Sequence, residues 1–400
     1  MEKDGYIALE GMKQKDVLPV KGVAGVHPFE IFGKASAQSN LTEGGILIMP
    51  SSRLLHKEID AMVHNQEFTN QYPHSLGVSC GMPISDLPLA ELEKFTPEIH
   101  LPKDFDEFWE RTLAESRALW KPPILVKVEE GITAFDVFDV TFSGFQGEPI
   151  KGWYITPINS TPTVAVVEYL GYGGGRGFAH EHIKWPAAGY AHFVMDTRGQ
   201  GSAWGTGGQT SDDHGSHPHY PGFMTKGIDS RDTYYYRRLY TDAVLAIDAV
   251  RSLNIVAADH IAVTGGSQGG GLALVVSGLV EDLLAAMPEV PFLTYFRRAV
   301  DITPRAPYTE IANYLSIHRD KYEAVFNTLD YFDVLNFIRH STAPAYFSVA
   351  LMDTICPPST VFAARNTYAA TTKMEIFRFN DHEGGQGHHW INQVNWLRSL

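Results

Sequence analysis

The chain has 400 residues, 44% of them hydrophobic, enough to bury the core of one large α/β domain or two smaller ones. Its formal net charge of −14, from 46 acidic and 32 basic residues, repels phosphate backbones and anionic lipid, which argues against nucleic acid and membrane surfaces as partners. Two cysteines, Cys80 and Cys356, are too few for a disulfide framework and fit a reducing compartment.

The first residues, Met1-Glu2-Lys3-Asp4-Gly5, show no basic region leading into an apolar stretch, and no apolar run approaches the ~20 residues needed to span a bilayer. The expectation is a soluble, cytoplasmic protein. Across residues 1–81 the hydrophobic positions are scattered without a sustained period. One short strand at 46–49 and one short helix at 53–63 are all they suggest. This stretch reads as a loosely ordered extension, or in part as a mis-called start, with the catalytic domain expected from Met82 onward.

Beyond it the pattern sharpens. Phe105, Phe108, Trp109, Leu113 and Leu119 make an apolar stripe at helical spacing. Residues 137–142, 150–156, 163–170 and 191–196 read as strands bounded by Gly and Pro. Residues 233–252 follow as a long helix, with Leu239, Ala243, Ala246, Ile247 and Val250 on one face. Further strands are predicted at 261–263, 284–290, 345–352 and 374–379. Strands interleaved with helices predict an α/β fold with a mostly parallel central sheet covered on both faces. After the sixth predicted strand, residues 291–333 interrupt the alternation as a helical insertion, read as a lid over the mouth of the sheet.

The chemistry centres on Gly265-Gly266-Ser267-Gln268-Gly269, a G-x-S-x-G sequence between a strand and a helix. In that setting the serine sits on a sharp turn, and flanking glycines let strand and helix approach closely. Unpaired N–H groups at the start of the helix face the place where an oxyanion would form. A serine hydroxyl is a poor nucleophile until a base removes its proton, and the base needs an acid to fix its tautomer. Asp353, directly after a predicted strand, and His382, in Asn380-Asp381-His382-Glu383-Gly384-Gly385, follow the serine in α/β-hydrolase order. Asp381 is adjacent to His382 and poorly placed to orient it, while Asp301, Asp330 and Asp333 fall in the helical insertion. The oxyanion donors expected are the backbone N–H of Gln268 and one from the loop Gly171-Tyr172-Gly173-Gly174-Gly175-Arg176-Gly177, through Tyr172.

With Arg198-Gly199-Gln200, the serine motif and His382-Glu383 in this order, the sequence resembles carbohydrate esterase family seven, the acetyl xylan esterases and cephalosporin C deacetylases. The resemblance covers 82–400. It implies an α/β-hydrolase fold and a serine esterase that needs no metal or cofactor. The implied substrates are small acetylated sugars and cephalosporin C-type acetyl esters, and the implied assembly is a homo-hexamer. Carried over by motif, Ser267, Asp353 and His382 form the triad, and Tyr172 and Gln268 the oxyanion hole. Trp185, Pro307 and Ile355 narrow an acyl pocket. Arg198, Gln200 and Glu383 are expected to brace the loops around the site. The run Gln386-Gly387-His388-His389-Trp390 departs from the family pattern at the expected pocket rim.

Three other readings compete. A general short-chain carboxylesterase would share the triad. A metal-dependent hydrolase is raised by His180, His182, His214, His217, His219, His388 and His389, but H-E-x-x-H spacing is missing and these read as solvated loop histidines. A non-catalytic binding protein on the same fold would be expected to lack a triad member, and none is missing here.

Overall fold

The computed structural model describes residues 86–400 apart from 130 and 216. The chain divides into two units, 1–80 and 81–400, and the account that follows concerns the second. The expectations for 1–81 lie outside the described residues.

Nine strands form one sheet: β1 (Ile124–Lys127), β2 (Phe135–Ser143), β3 (Pro149–Pro157), β4 (Ala165–Tyr169), β5 (Ala191–Met195), β6 (Ile261–Gly266), β7 (Ala285–Glu289), β8 (Ala345–Ala350) and β9 (Thr372–Phe377). Their order across the sheet is β1-β2-β3-β5-β4-β6-β7-β8-β9. The run β5-β4-β6-β7-β8-β9 is parallel, whereas β1, β2 and β3 add antiparallel pairs at one end. The interior strands β5 and β8 are buried along their whole length, as a parallel sheet covered on both faces requires.

Nine helices of five residues or more cover the faces among the described residues. These are α1 (Phe105–Arg117), α2 (Tyr235–Ser252), α3 (Gln268–Leu279), α4 (Phe296–Ile302), α5 (Tyr308–Ile317), α6 (Tyr322–Leu329), α7 (Val334–Ile338), α8 (Pro358–Thr367) and α9 (Gln386–Leu397). The expected strands and the helix at 233–252 are present, with ends shifted by at most three residues. Strand β1, short and half-exposed, was not predicted, because Ile124, Val126 and their neighbours sit on an edge with no alternating pattern to reveal it. It adds one to the count, so the helical segment follows the seventh strand. That segment, α4 to α7, buries Phe292, Leu293, Phe296, Tyr308, Ile311 and Phe326 in the same apolar cluster as the sheet and α2. The Asp333 carboxylate caps α7 through Leu335 N–H and also accepts from Tyr295 and Phe296 N–H at the start of α4.

The turn from β6 into α3 is the tightest place in this fold. Strand β6 lies between β4 and β7, and α3 is buried almost all round. A Cβ on Gly269 would fall 2.0 Å from the carbonyl oxygen of Tyr169, and one on Gly271 would fall 2.3 Å from that of Phe292. Only residues without a side chain let the helix settle this deeply between the ends of β4 and β7. Gly269→Ala is therefore expected to cost about 1–3 kcal/mol of unfolding free energy in urea titration, the usual range for an overpacked core. The same substitution at Gly387, where nothing lies within 4 Å of the added Cβ, should leave stability within about 0.5 kcal/mol.

Candidate active site

Parallel strands end at one edge of the sheet, and the chain places its chemistry there. Ser267 leaves the end of β6 with φ 55° and ψ −117°. A positive φ at a residue with a Cβ costs on the order of 1–3 kcal/mol and persists only where the surroundings enforce it. Here Ser267 N–H donates to the carbonyl of Glu289, and the Ser267 carbonyl accepts from Phe292 N–H, both at 2.9 Å. Its side chain projects at the N-terminus of the 12-residue α3, where the helix dipole favours negative charge.

Asp353 follows β8 and His382 follows β9. Asp353 is wholly buried, and its Oδ1 accepts the N–H groups of Ile355 and Cys356, each at 2.8 Å. Oδ2 lies 2.7 Å from His382 Nδ1. An ionised carboxylate only accepts, so Nδ1 carries the proton and Nε2 is left as the basic nitrogen. His382 keeps 19% of its side-chain surface in solvent. Cys356 sits where the acid and the histidine meet: its sulfur lies within 4.8 Å of ligand atoms of both Asp353 and His382. Burial, and then the Asp353 charge, push that thiol well above its ordinary value, so it stays protonated.

The loop 171–177 after β4 runs alongside the serine turn. Gln268 donates through Nε2 to Leu170 O at 3.2 Å, and its Oε1 accepts from Tyr236 Oη at 3.1 Å and from Gln200 Nε2 at 3.0 Å. Gln200 Oε1 in turn accepts from Gly173 N–H at 2.6 Å, next to Tyr172. Gln200 thus bridges the loop bearing one oxyanion candidate and the side chain of the other. Arg198 is fully buried; it pairs with Asp242 through Nε and Nη2, and with Glu148 at 2.6 Å. Burial works against its charge, yet Asp242 and Glu148 prevail and hold the guanidinium above its usual range. Glu383 accepts from Asn380 Nδ2 and, at 3.0 Å, from Gly385 N–H, closing the loop on either side of His382.

The three residues assigned to the acyl pocket are not gathered in one cluster. Ile355 is half-buried in the main core beside Asp353, and Pro307, after a cis peptide bond with Ala306, caps α5. Trp185 is fully buried in a different cluster, with Val166, Tyr190, Ala262 and Tyr346, its ring against Tyr190 and Trp390 under α9. The histidines of the metal reading are dispersed. His182 bonds to Arg176 O and His214 to Glu148. Among the described residues, the one His/Cys/Asp/Glu group within ligand reach is Asp353, Cys356 and His382. One histidine corrects the view of solvated loops: His389 is a helical residue, wholly buried against Tyr346 and Phe377. Burial, with help from Lys373 and Lys184, lowers it to about 4, so it is neutral. Cys356 and Asp242 were also missed, because a cysteine three residues past the acid and an aspartate within a helix carry no pattern that marks them.

Asp353→Asn should keep the fold and reverse the imidazole tautomer, since the amide can donate to Nδ1. Turnover should then fall by about four orders of magnitude with the far-UV spectrum unchanged, a loss known for such triads. Retention of more than about a tenth of the rate would exclude Asp353 as the orienting acid.

The acetyl xylan esterase (AXE1) family model matches residues 82–400. The chain is 30% identical over 301 residues to acetyl esterase Axe7A of Xylanibacter ruminicola, which takes in 72% of this chain and 65% of that protein's length. Acetyl xylan esterase from Paenibacillus sp. R4 superposes with a TM-score of 0.73 at 36% identity, over 78% of this chain and 100% of that one. Acetyl xylan esterase 1 from Thermoanaerobacterium sp. JW/SL YS485 gives 0.72 at 31% identity, over 78% and 99%. With this extent of match laid over the serine turn and the Asp353–His382 pair, the chain belongs to the acetyl xylan esterase family and has the α/β-hydrolase fold.

Proposed function

We propose that the protein is a serine esterase that removes acetyl groups from acetylated xylo-oligosaccharides, other small acetylated sugars and cephalosporin C-type acetyl esters. The observation that carries the reading is the buried Asp353 carboxylate 2.7 Å from His382 Nδ1, at the same sheet edge as a serine on a strained strand–helix turn. Family membership adds the acetyl specificity.

The steps follow from the roles. Ser267 Oγ attacks the acetyl carbonyl carbon while its proton passes to His382 Nε2, and the carbonyl electron pair moves onto oxygen. Backbone N–H groups of Tyr172 and Gln268 hold that oxyanion, each donor worth about 3 kcal/mol of barrier. Collapse breaks the bond to the sugar oxygen, which takes the proton from His382 and leaves as the alcohol. Water then attacks the acetyl-serine with His382 again as base, and acetate departs as Ser267 regains its proton. Pro307 and Ile355 are the residues assigned to the acyl side.

A general short-chain carboxylesterase is the nearest alternative. Ser267→Ala is expected to abolish turnover of p-nitrophenyl acetate while the unfolding midpoint holds. The unmutated protein should prefer the acetyl over the octanoyl ester by at least about a hundredfold in kcat/KM, because each excluded methylene is worth about 1–3 kcal/mol. Comparable rates on both would replace the acetyl esterase reading with the broader one. Assembly as a homo-hexamer belongs to the same proposal and rests on the family resemblance. Light scattering coupled to gel filtration is expected to give six times the chain mass, and a monomer peak would remove that part.

A further inference from the structure

The helical segment reaches the oxyanion loop through one acidic residue. Glu310, on α5, is 6% exposed and carries no partner cation among the described residues. Tyr172 Oη donates to its carboxylate, 2.7 Å from Oε1 and 2.9 Å from Oε2, and Met224 N–H donates to Oε2 at 3.1 Å. The same phenol oxygen accepts Phe223 N–H at 2.6 Å. Room for the carboxylate is made by Gly222, at φ +127°, whose Cβ would lie 2.2 Å from Glu310 Oε2. The Tyr172 ring meets Phe223 and Phe292 edge-on, and Phe292 N–H holds the carbonyl of Ser267. Tyr172 is therefore clamped between a buried carboxylate and the nucleophile turn.

We infer that Glu310 is a positioning residue for the oxyanion hole: by gripping the Tyr172 hydroxyl it fixes the backbone N–H of Tyr172 over the reacting carbonyl. The inference rests on the proposed esterase reading and on Tyr172 as donor. Oxyanion donors act through geometry set before the reaction, so loosening this tether lowers the rate of the chemical step and leaves ground-state binding alone.

Two physical features separate this role from plain structural support. First, the carboxylate is costly. Burial raises it to about 7, against which the bonds from Tyr172 and Met224 work only in part. A group bound more tightly to its proton in the folded state favours folding below its unfolded value, near 4.5, and loses that contribution as pH rises through 7. At pH 8 Glu310 thus burdens the fold. Second, the grip depends on charge. The groups facing Glu310 are the Tyr172 and Tyr234 phenols and the backbone N–H groups of Phe223 and Met224. Burial, and then the Glu310 charge, push the Tyr172 phenol far up, so it stays protonated and donates. Ionised Glu310 accepts strongly from it above pH 7, and protonated Glu310 accepts weakly below.

The test is steady-state kinetics at pH 8 on p-nitrophenyl acetate and on an acetylated xylobiose, with Glu310→Ala, Glu310→Gln, Tyr172→Phe and the Glu310→Ala/Tyr172→Phe double variant. Expected is a fall in kcat of about 30-fold for Glu310→Ala, below the loss of a whole oxyanion donor. KM should stay within about twofold, and the factor should be the same for both alcohols because they share one oxyanion. Glu310→Gln, which keeps one acceptor oxygen but loses the charge, should fall between Glu310→Ala and the unmutated protein. The acid limb of its kcat profile should show one proton fewer than that of the unmutated protein. Tyr172→Phe should match Glu310→Ala, and the double variant should be no slower than either. Glu310→Gln is also expected to melt no lower than the unmutated protein at pH 8. A kcat within twofold for Glu310→Ala or for Tyr172→Phe, a loss confined to KM, unequal factors for the two alcohols, or multiplying losses in the double variant would each overturn the inference. If Ser267→Ala retains full turnover, the serine reading falls and this inference with it; if Ser267→Ala is dead and Glu310→Ala unaffected, this inference alone falls.

Discussion

The close approach of α3 to the ends of β4 and β7 is the constraint on which the remaining structure turns. It forces the backbone at Ser267 into a conformation that a residue with a Cβ resists, and it does so with backbone alone: glycines where side chains would collide, and two hydrogen bonds to Glu289 and Phe292. The serine is consequently held by the packing of the whole sheet. Asp353 and His382 need only reach the same edge, which their positions after β8 and β9 guarantee. One wholly buried carboxylate with both oxygens occupied then orients the imidazole.

Around this turn lies a layer of buried polar groups whose side chains touch no substrate in the proposed mechanism. Gln200, Gln268, Tyr235 and Tyr236 form a connected set, and Arg198 with Asp242 and Glu148 supports it from below. Each buried polar atom in such a set is expensive unless partnered, and fully partnered it permits few alternative arrangements. Truncating Arg198 would strand the Asp242 carboxylate in the interior, a loss usually nearer 3–5 kcal/mol than that of a surface pair. The oxyanion loop inherits its rigidity from this layer through Gly173 and from α5 through Tyr172.

The features legible in the sequence were those with a local period or a local motif. Strand–helix alternation, the five-residue serine motif and the order of acid and histidine are all short-range patterns, and they point to the sheet edge at which Ser267, Asp353 and His382 lie. What stayed hidden depends on residues far apart in the chain. Glu310 is an ordinary acidic residue on an amphipathic helix until folding brings it to Tyr172, 138 positions away. Asp242 is likewise unremarked within α2 until it meets Arg198. Strand β1 lacked a signal because an edge strand needs no apolar face. Trp185 was given an acyl-pocket role by resemblance, and its packing puts it in the layer beneath α9 instead of beside Ile355. His389 was misread because a histidine next to glycines suggests a loop, whereas Gly385 begins a helix whose inner face takes the ring.

That inner face makes acid a hazard of a particular kind. Unfolded histidine takes up a proton near pH 6.5, while His389 in place resists until about 4, so across the window between them the fold that buries this ring progressively loses stability. The accumulated penalty is on the order of 3 kcal/mol once the window is crossed. Because α9 begins four residues after His382, the loop that carries the proposed base is tied to the helix on which this cost falls.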